Sequence, residues 1–271
     1  MPLRPSASDH EVATEGSPCG TARHPPLAAA ADHADRAPAD KKEIFVRTLF
    51  DRIGPRYDLF NRLVSLGLDQ GFRRRAVAAA SLRPGLRVLD LGAGTGDLTL
   101  LAAAAVAPTG IVVAFDLSLS MLRLATVKAD RVPPGYHARY LNGRAEQLPI
   151  PDGTFDAVVS GFVMRNVSDV ARTLSEGRRV LRRGGQLAIL EFGRPDSAIL
   201  RWGQTLWLAI WALAVGWLVT GARWPFAYLR RSVATFLKPE AFMKQMRAAG
   251  FSGVAMTPLM GGAAVIYRGV A

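Results

Sequence analysis

The fold is decided by Arg87-Val88-Leu89-Asp90-Leu91-Gly92-Ala93-Gly94-Thr95-Gly96-Asp97. A short apolar run ends in an acid, three glycines follow at every second position, and Asp97 then stands as an N-cap opening a helix. Such a pattern reads as a strand, a tight turn and a helix start in quick succession. Glycine tolerates positive φ and lets a ligand approach the backbone more closely than a Cβ would allow. The unpaired N–H groups of the following helix face whatever occupies the turn, so a nucleotide-like ligand is the natural occupant.

Spacing selects the nucleotide. A dinucleotide fingerprint needs G-x-G-x-x-G, whereas this stretch reads D-x-G-x-G-x-G and resembles the first motif of class I S-adenosylmethionine methyltransferases. Further on, Ile111-Val112-Val113-Ala114-Phe115 ends in Asp116, an acid at the tip of the second strand and suited to ribose hydroxyls. Together Asp90, Gly92, Gly94, Gly96 and Asp116 outline an adenosyl site.

Alternation continues outward from this motif. Strands are expected at Val88, Ile111, Arg139–Leu141, Phe155–Ser160 and Gln186–Leu190, with helices near Leu98–Ala105 and Met121–Ala129 between them. A further helix presents Val170, Leu174, Gly177 and Leu181 on one face and is expected to stop at Gly184-Gly185. After helix Glu240–Ala249, short strands near Val254–Thr257 and Ala263–Tyr267 close the chain. The order predicts an α/β fold: a doubly wound, mostly parallel, seven-stranded Rossmann-like sheet, with N-terminal helices and an apolar helical insertion after strand five.

The flanking segments differ in kind. Residues 1–40 are rich in Ala, Pro, Asp and Ser and lack an amphipathic period, so a disordered tail is expected there, and residues 41–271 form the methyltransferase domain. Phe45, Leu49, Phe50 and Ile53 recur at helical spacing, and Gly54-Pro55 is expected to break that helix. Net charge is +12. It is scattered rather than blocked, so it reads chiefly as an arginine-rich composition, with a membrane surface ahead of nucleic acid as the partner it would attract. A single cysteine, Cys19, allows no internal disulfide and suits a reducing, cytoplasmic setting. His10, His24, His33 and His137 lie away from every motif, so neither a histidine base nor a metal site is expected.

Several further motifs carry a closer resemblance. Tyr57-Asp58-x-x-Asn61, Ala145-Glu146-x-Leu148-Pro149-Ile150-Pro151-Asp152, Arg165-Asn166-Val167, Leu190-Glu191-Phe192, Tyr228-Leu229-x-x-Ser232 and Leu259-x-Gly261-Gly262 occur in order. Over residues 44 to 269 the chain is similar to the demethylmenaquinone and ubiquinone-biosynthesis C-methyltransferases. That resemblance implies S-adenosylmethionine as cofactor and a prenylated quinol as acceptor. It further implies cofactor contacts at Thr95, Asp116, Arg144, Ala145 and Gly161. The chain departs from the family pattern at Arg144 (usually asparagine), Gly161 (serine), Val163 (glycine), Asp69-Gln70 (His-Arg) and Met260 (threonine).

Carbon methylation needs an electron-rich ring, attack geometry, and a group that favours the developing oxyanion. Arg165 and Asn166, after strand four, suit the last task, with a structural ion pair as the alternative for Arg165. Guanidinium stays protonated and is a poor base, so Asp58 or Tyr57 is expected nearer the proton transfer, Glu191 being the runner-up. For Asp58 the alternative is a helix N-cap.

Trp202 to Ala222 carries no charge, holds four of the five tryptophans, and is bordered by Arg201 and Arg223. It is long enough to span ~30 Å of hydrocarbon. Because the last strands must rejoin the sheet, an interfacial helix or a roof over the substrate is expected instead, within an insertion at 196–232. The protein is therefore expected to sit peripherally on the inner face of the cell membrane, with self-association left open. Two rival readings share the glycine turn: a phospholipid amine methyltransferase, and a non-catalytic adenosyl-binding subunit of a quinone-synthesis complex.

Overall fold

A computed structural model of the chain describes residues 39–195, 197–221 and 224–271. The expected tail, with Cys19 and three of the histidines, lies outside the described residues, as does Arg223. Seven strands, β1 (Arg87–Leu91), β2 (Ile111–Asp116), β3 (Ala138–Asn142), β4 (Phe155–Gly161), β5 (Leu181–Phe192), β6 (Ser252–Leu259) and β7 (Ala264–Val270), form one sheet. Their order is β3-β2-β1-β4-β5-β7-β6. The first five strands are parallel, and β7 is antiparallel to both β5 and β6. The order reverses between β1 and β4, where an open α/β sheet leaves a crevice at the carboxyl ends of its strands.

Both faces of the central strands are covered, which explains their continuous apolar runs. Leu89, Leu91, Val158 and Ile189 pack with Leu174 of α5 (Val170–Val180) and with Phe242 and Met246 of α9 (Pro239–Ala248). Val88, Val112, Ala157 and Val159 pack with Val77 of α2 (Leu68–Ala79) and with Leu98, Ala102 and Val106 of α3 (Asp97–Val106). At roughly 1.5–3 kcal/mol per buried aliphatic side chain, this double burial is the main stabilising term. On α4 (Leu119–Ala129), Ser118 is the N-cap and accepts from the N–H of Met121 at 3.1 Å.

Four local expectations are corrected. The first helix, α1, starts at Ala39 and runs through Pro55 to Ser65. Proline forfeits one helix hydrogen bond, but Phe45, Val46, Leu49, Ile53 and Phe60 are buried along the same helix, and that packing outweighs the lost bond. Asp97 is not an N-cap: Gly96 occupies that position with φ +85°, and Asp97 is the first helical residue. The fifth helix ends at Val180 rather than at Gly184-Gly185. Leu181 is buried and already pairs with Phe155, so the glycines fall where β5 shifts register against β4. Finally, the apolar segment is not one regular helix. It divides into α6 (Ala198–Leu206), a π-helical turn (Trp207–Trp211) and α7 (Ala212–Thr220), and is followed by α8 (Trp224–Thr235).

Candidate active site

Two cavities meet above the carboxyl ends of β1 and β4. The first is walled by the glycine turn and the loops after β2, β3 and β4. Gly92, Gly94, Asp116, Arg144, Ala145, Gly161 and Asn166 all line it. Gly92 has φ +79°, and a Cβ there would fall 2.2 Å from a methyl of Val163, so only glycine fits between turn and loop. The Asp116 carboxylate fastens the turn. Its Oδ2 accepts from the N–H of Gly94 and its Oδ1 from the N–H of Ser118, each at 2.8 Å. Desolvation raises the Asp116 pKa, while the hydrogen bonds from Ser118 and Gly94 pull it down. Each carboxylate oxygen retains a lone pair for a ribose hydroxyl.

Helix α1 closes over this cavity through Glu43, Val46, Arg47, Phe50 and Tyr57. Arg144 Nε lies 2.9 Å from the Glu43 carboxylate, so the arginine standing in place of asparagine pins the lid to the rim. Lys42 Nζ donates to the carbonyl of Val167 at 2.7 Å, fixing the same helix to the loop after β4. Asp116 and the side-chain-free backbone of Gly92 and Gly94 form a cradle that fits S-adenosylmethionine. Asp116 would hold the ribose, and Ala145 and Arg144 would border the base.

The other expected cofactor residues stand behind the cavity wall. Asp90 is fully buried, accepts from the Thr99 hydroxyl at 2.6 Å, and has no partner for Oδ1. Desolvation raises its pKa to about 7. The Thr95 hydroxyl donates to Asp58 Oδ1 at 2.5 Å, and Lys128 Nζ lies 2.7 Å from Asp58 Oδ2. Neither Thr95, Gly96 nor Asp58 is among the lining residues of either cavity. Asp58 sits inside α1, so it is not an N-cap, and its carboxylate is committed to Thr95 and Lys128 instead of facing an acceptor. That geometry ties α1 to the start of α3, where Lys128 also pairs with Asp97 at 2.5 Å.

The second cavity measures about 610 Å³ and is almost wholly apolar. Phe50, Tyr57 and Phe162 line both cavities and stand at the boundary between them. Ile199, Leu200, Trp207 and Leu208 roof it from the apolar segment. Trp207 and Trp211 donate their indole N–H groups to the carbonyls of Val64 and Leu63 at 3.1 and 3.2 Å, anchoring that roof to the end of α1.

Arg165 and Asn166 divide between the two cavities. Asn166 accepts from the Tyr228 hydroxyl at 3.2 Å. Arg165 lines the apolar cavity, donates through Nη1 to the Phe162 carbonyl, and lies 3.3 Å from Glu191. Glu191 is fully buried and also accepts from the N–H groups of Arg165 and Phe192. Burial raises its pKa while Arg165 lowers it. Its oxygens thus hold the loop after β4. Arg73, which the sequence analysis does not single out, is a residue that sequence reasoning missed: it is buried and lines the apolar cavity. The signal was its place beside Phe72, Ala76 and Val77 on the inward face of α2.

A glycine turn beneath a switch point, an acid at the tip of β2, and an adjoining acceptor cavity define a class I S-adenosylmethionine-dependent methyltransferase. Solved structures share the fold. A SAM-dependent methyltransferase from Thermotoga maritima superposes with a TM-score of 0.57 at 22% identity, covering 83% of this chain and 99% of that one. A SAM-dependent methyltransferase from Aquifex aeolicus gives 0.55 at 18% identity, over 73% and 88%. The chain belongs to the ubiE/COQ5 methyltransferase family, whose model matches residues 38–271. It is 41% identical to a demethylmenaquinone methyltransferase of Thermus thermophilus, over 82% of this chain and 99% of the relative. It is 38% identical to one of Symbiobacterium thermophilum, over 85% and 94%. A ubiquinone/menaquinone biosynthesis C-methyltransferase of Shewanella frigidimarina is 33% identical over 85% and 92%.

Proposed function

We propose that the chain methylates a ring carbon of a prenylated hydroquinone in respiratory quinone biosynthesis, converting demethylmenaquinol to menaquinol. The observation that carries this reading is the apolar cavity of about 610 Å³ that adjoins the cofactor cavity, the two sharing Phe50, Tyr57 and Phe162 as lining residues. Its size is within the range of roughly 300–1,000 Å³ that holds a small organic ligand, and its walls suit an aromatic ring with a hydrocarbon tail. Two of the similar proteins named above are demethylmenaquinone methyltransferases.

When bound, S-adenosylmethionine supplies a methyl on a cationic sulfur, and its C–S electron pair stays with sulfur as the ring carbon's pair forms the new C–C bond. The acceptor loses its ring hydrogen as a proton, so one proton is released per methyl transferred. The protein's part is to hold ring carbon and methyl in line, worth roughly 7–11 kcal/mol of the barrier, and to favour the phenolate. The apolar walls exclude water, which strengthens any cation–phenolate attraction inside. Tyr57 lies at the boundary, where its hydroxyl is suited to orient the ring oxygen.

Docking at the cytoplasmic face of the membrane belongs to the same proposal. Each CH₂ of a prenyl tail gains ~0.8 kcal/mol by staying out of water, so the tail remains in lipid unless an apolar path leads to the ring site. The helix pair that roofs the cavity exposes Ile199, Trp202, Ile210, Trp217 and Leu218 outward, which supports interfacial seating. Purified protein given S-adenosylmethionine tests the reading with three acceptors in detergent: demethylmenaquinol, a demethylated benzoquinol of equal tail length, and phosphatidylethanolamine. The naphthoquinol is expected to be methylated fastest. Methylation of the amine lipid alone would overturn the reading.

A further inference from the structure

Around the apolar cavity, cationic side chains differ in how far their charge is already answered. Arg165 is balanced by the fully buried Glu191 at 3.3 Å and bonded to the Phe162 carbonyl. Arg73 is different. It is only 7% exposed, and its nearest carboxylate, Asp69, stands at 3.8 Å, a longer pair than Arg165 makes; its Nε, like that of Arg165, has no hydrogen-bond partner. Asp69 in turn accepts from the Ser65 hydroxyl at 2.9 Å and from Gln70 at 3.2 Å.

Asp90 and Asp97 on the neighbouring elements both feel the Arg73 charge, which pulls their pKa values down, but neither forms an ion pair with it. Asp97, at the start of α3, is held by Lys128 at 2.5 Å and by Gln70 at 2.9 Å. Asp90, at the end of β1, is buried against Thr99 and keeps its proton up to about pH 7. Glu191 serves Arg165. A buried guanidinium whose one ion pair is this long carries a desolvation cost that an anionic ligand would offset further.

Its location is specific. A Cβ added to Gly161 would lie 3.3 Å from Arg73 Nη1, so the guanidinium occupies space next to a residue that lines the cofactor cavity. Arg73 itself lines the acceptor cavity, and its guanidinium lies 5.7 Å from the ring centroid of Phe162, a wall of both. The absence of a side chain at Gly161 leaves room for that approach.

We propose that Arg73 is the phenolate-binding residue of this enzyme: its guanidinium, beside Gly161 at the junction of the two cavities, pairs with the oxygen anion of the aromatic acceptor. Arg165, spent on Glu191, then shapes the wall. The proposal rests on the hydroquinone reading above and assigns a role within that site. Pairing with a cation lowers a bound phenol's pKa by roughly 1–3 units, so Arg73 raises the fraction of acceptor that is ionised at neutral pH.

The test compares the full-length protein with R73M and R73K, using a demethylated naphthoquinol in detergent, across pH 5.5 to 9.5. R73M is expected to lower kcat about 10²-fold near neutral pH, as loss of one oxyanion-stabilising group does. The acid limb of its profile should move up by about one unit or more, while R73K should keep the limb near its wild-type position. Affinity for S-adenosylhomocysteine and the thermal unfolding midpoint serve as controls for an intact fold. A second readout needs no turnover: a chromophoric naphthol bound in the cavity should ionise at lower pH in the wild type than in R73M. An R73M acid limb that coincides with wild type overturns the proposal, as does an unchanged naphthol ionisation. Failure of the wild type to methylate any hydroquinone would instead overturn the reading beneath it.

Discussion

Asp116 carries two loads. Its oxygens hold the N–H groups of Gly94 and Ser118 at 2.8 Å, and the same carboxylate faces the cofactor cavity. Asp116→Ala should therefore weaken S-adenosylhomocysteine binding at least tenfold by calorimetry, since hydrogen bonds to a charged group are worth about 1.5–3 kcal/mol each. Unchanged affinity would remove Asp116 from the cofactor site. Asp90 makes a different prediction. Its pKa is raised by burial from 3.8 to about 7, so between those values the unfolded chain is ionised while the folded one keeps its proton. Stability contributed at this site is present at low pH and falls as pH rises through that window. Asp90→Asn should flatten this slope in urea-unfolding free energies measured from pH 4 to 7, and parallel curves for the two proteins would contradict it. From the sequence Asp90 and Asp116 were both legible as adenosyl-site acids, but only the tertiary structure separates the lining acid from the one buried behind it.

At the level of elements, the loop after β4 owes its shape to Arg165 and Glu191. Arg165→Ala should cost about 3–5 kcal/mol of stability, because it strands a buried carboxylate, and adding Glu191→Gln should recover most of that loss. If the double variant is no more stable than the single one, the ion pair is not what organises this loop. The sheet elements were legible because buried parallel strands leave continuous apolar runs bounded by turn residues. Helix α1 was not, since Pro55 signals a break locally and only the burial of Phe45, Leu49, Ile53 and Phe60 along the helix overrides it. The surroundings of Asp58 were hidden by the same expected break: inside the unbroken helix its carboxylate reaches Thr95 and Lys128, so the N-cap alternative does not apply. The inward face of α2 was not legible either, because three consecutive arginines, Arg73-Arg74-Arg75, do not show which of them turns inward until Phe72 and Ala76 are seen packed with Phe162, Leu190 and Ile266.

Across the whole molecule, one helical segment serves two surfaces. Leu208, Ala212 and Val215 are buried, while Trp202 and Leu218 are 69% and 77% exposed. The segment Ala198–Val219 is long and apolar enough to cross a membrane by length and composition, yet β6 and β7, which follow it, complete the same sheet that β1 begins. The interfacial seat proposed above would reconcile these facts. The combined variant Trp202→Glu, Trp217→Glu, Leu218→Glu should lose flotation with vesicles of mixed phosphatidylethanolamine and phosphatidylglycerol while retaining S-adenosylhomocysteine affinity. Flotation equal to wild type would exclude this face as the seat. The hydrophobic length of this stretch was plain in the sequence, but its division into a cavity roof and an outward face depends on the π-helical turn and the indole bonds to α1, which no local pattern announces. The central claim is that the adjoining cavities deliver a methyl group to ring carbon, and one measurement reaches it directly. Wild-type protein is given demethylmenaquinol and S-adenosylmethionine labelled with ¹³C in its methyl group, and the product is examined by carbon NMR. A labelled aryl-methyl resonance is the expected result; label on oxygen, or no labelled quinol at all, would contradict the account.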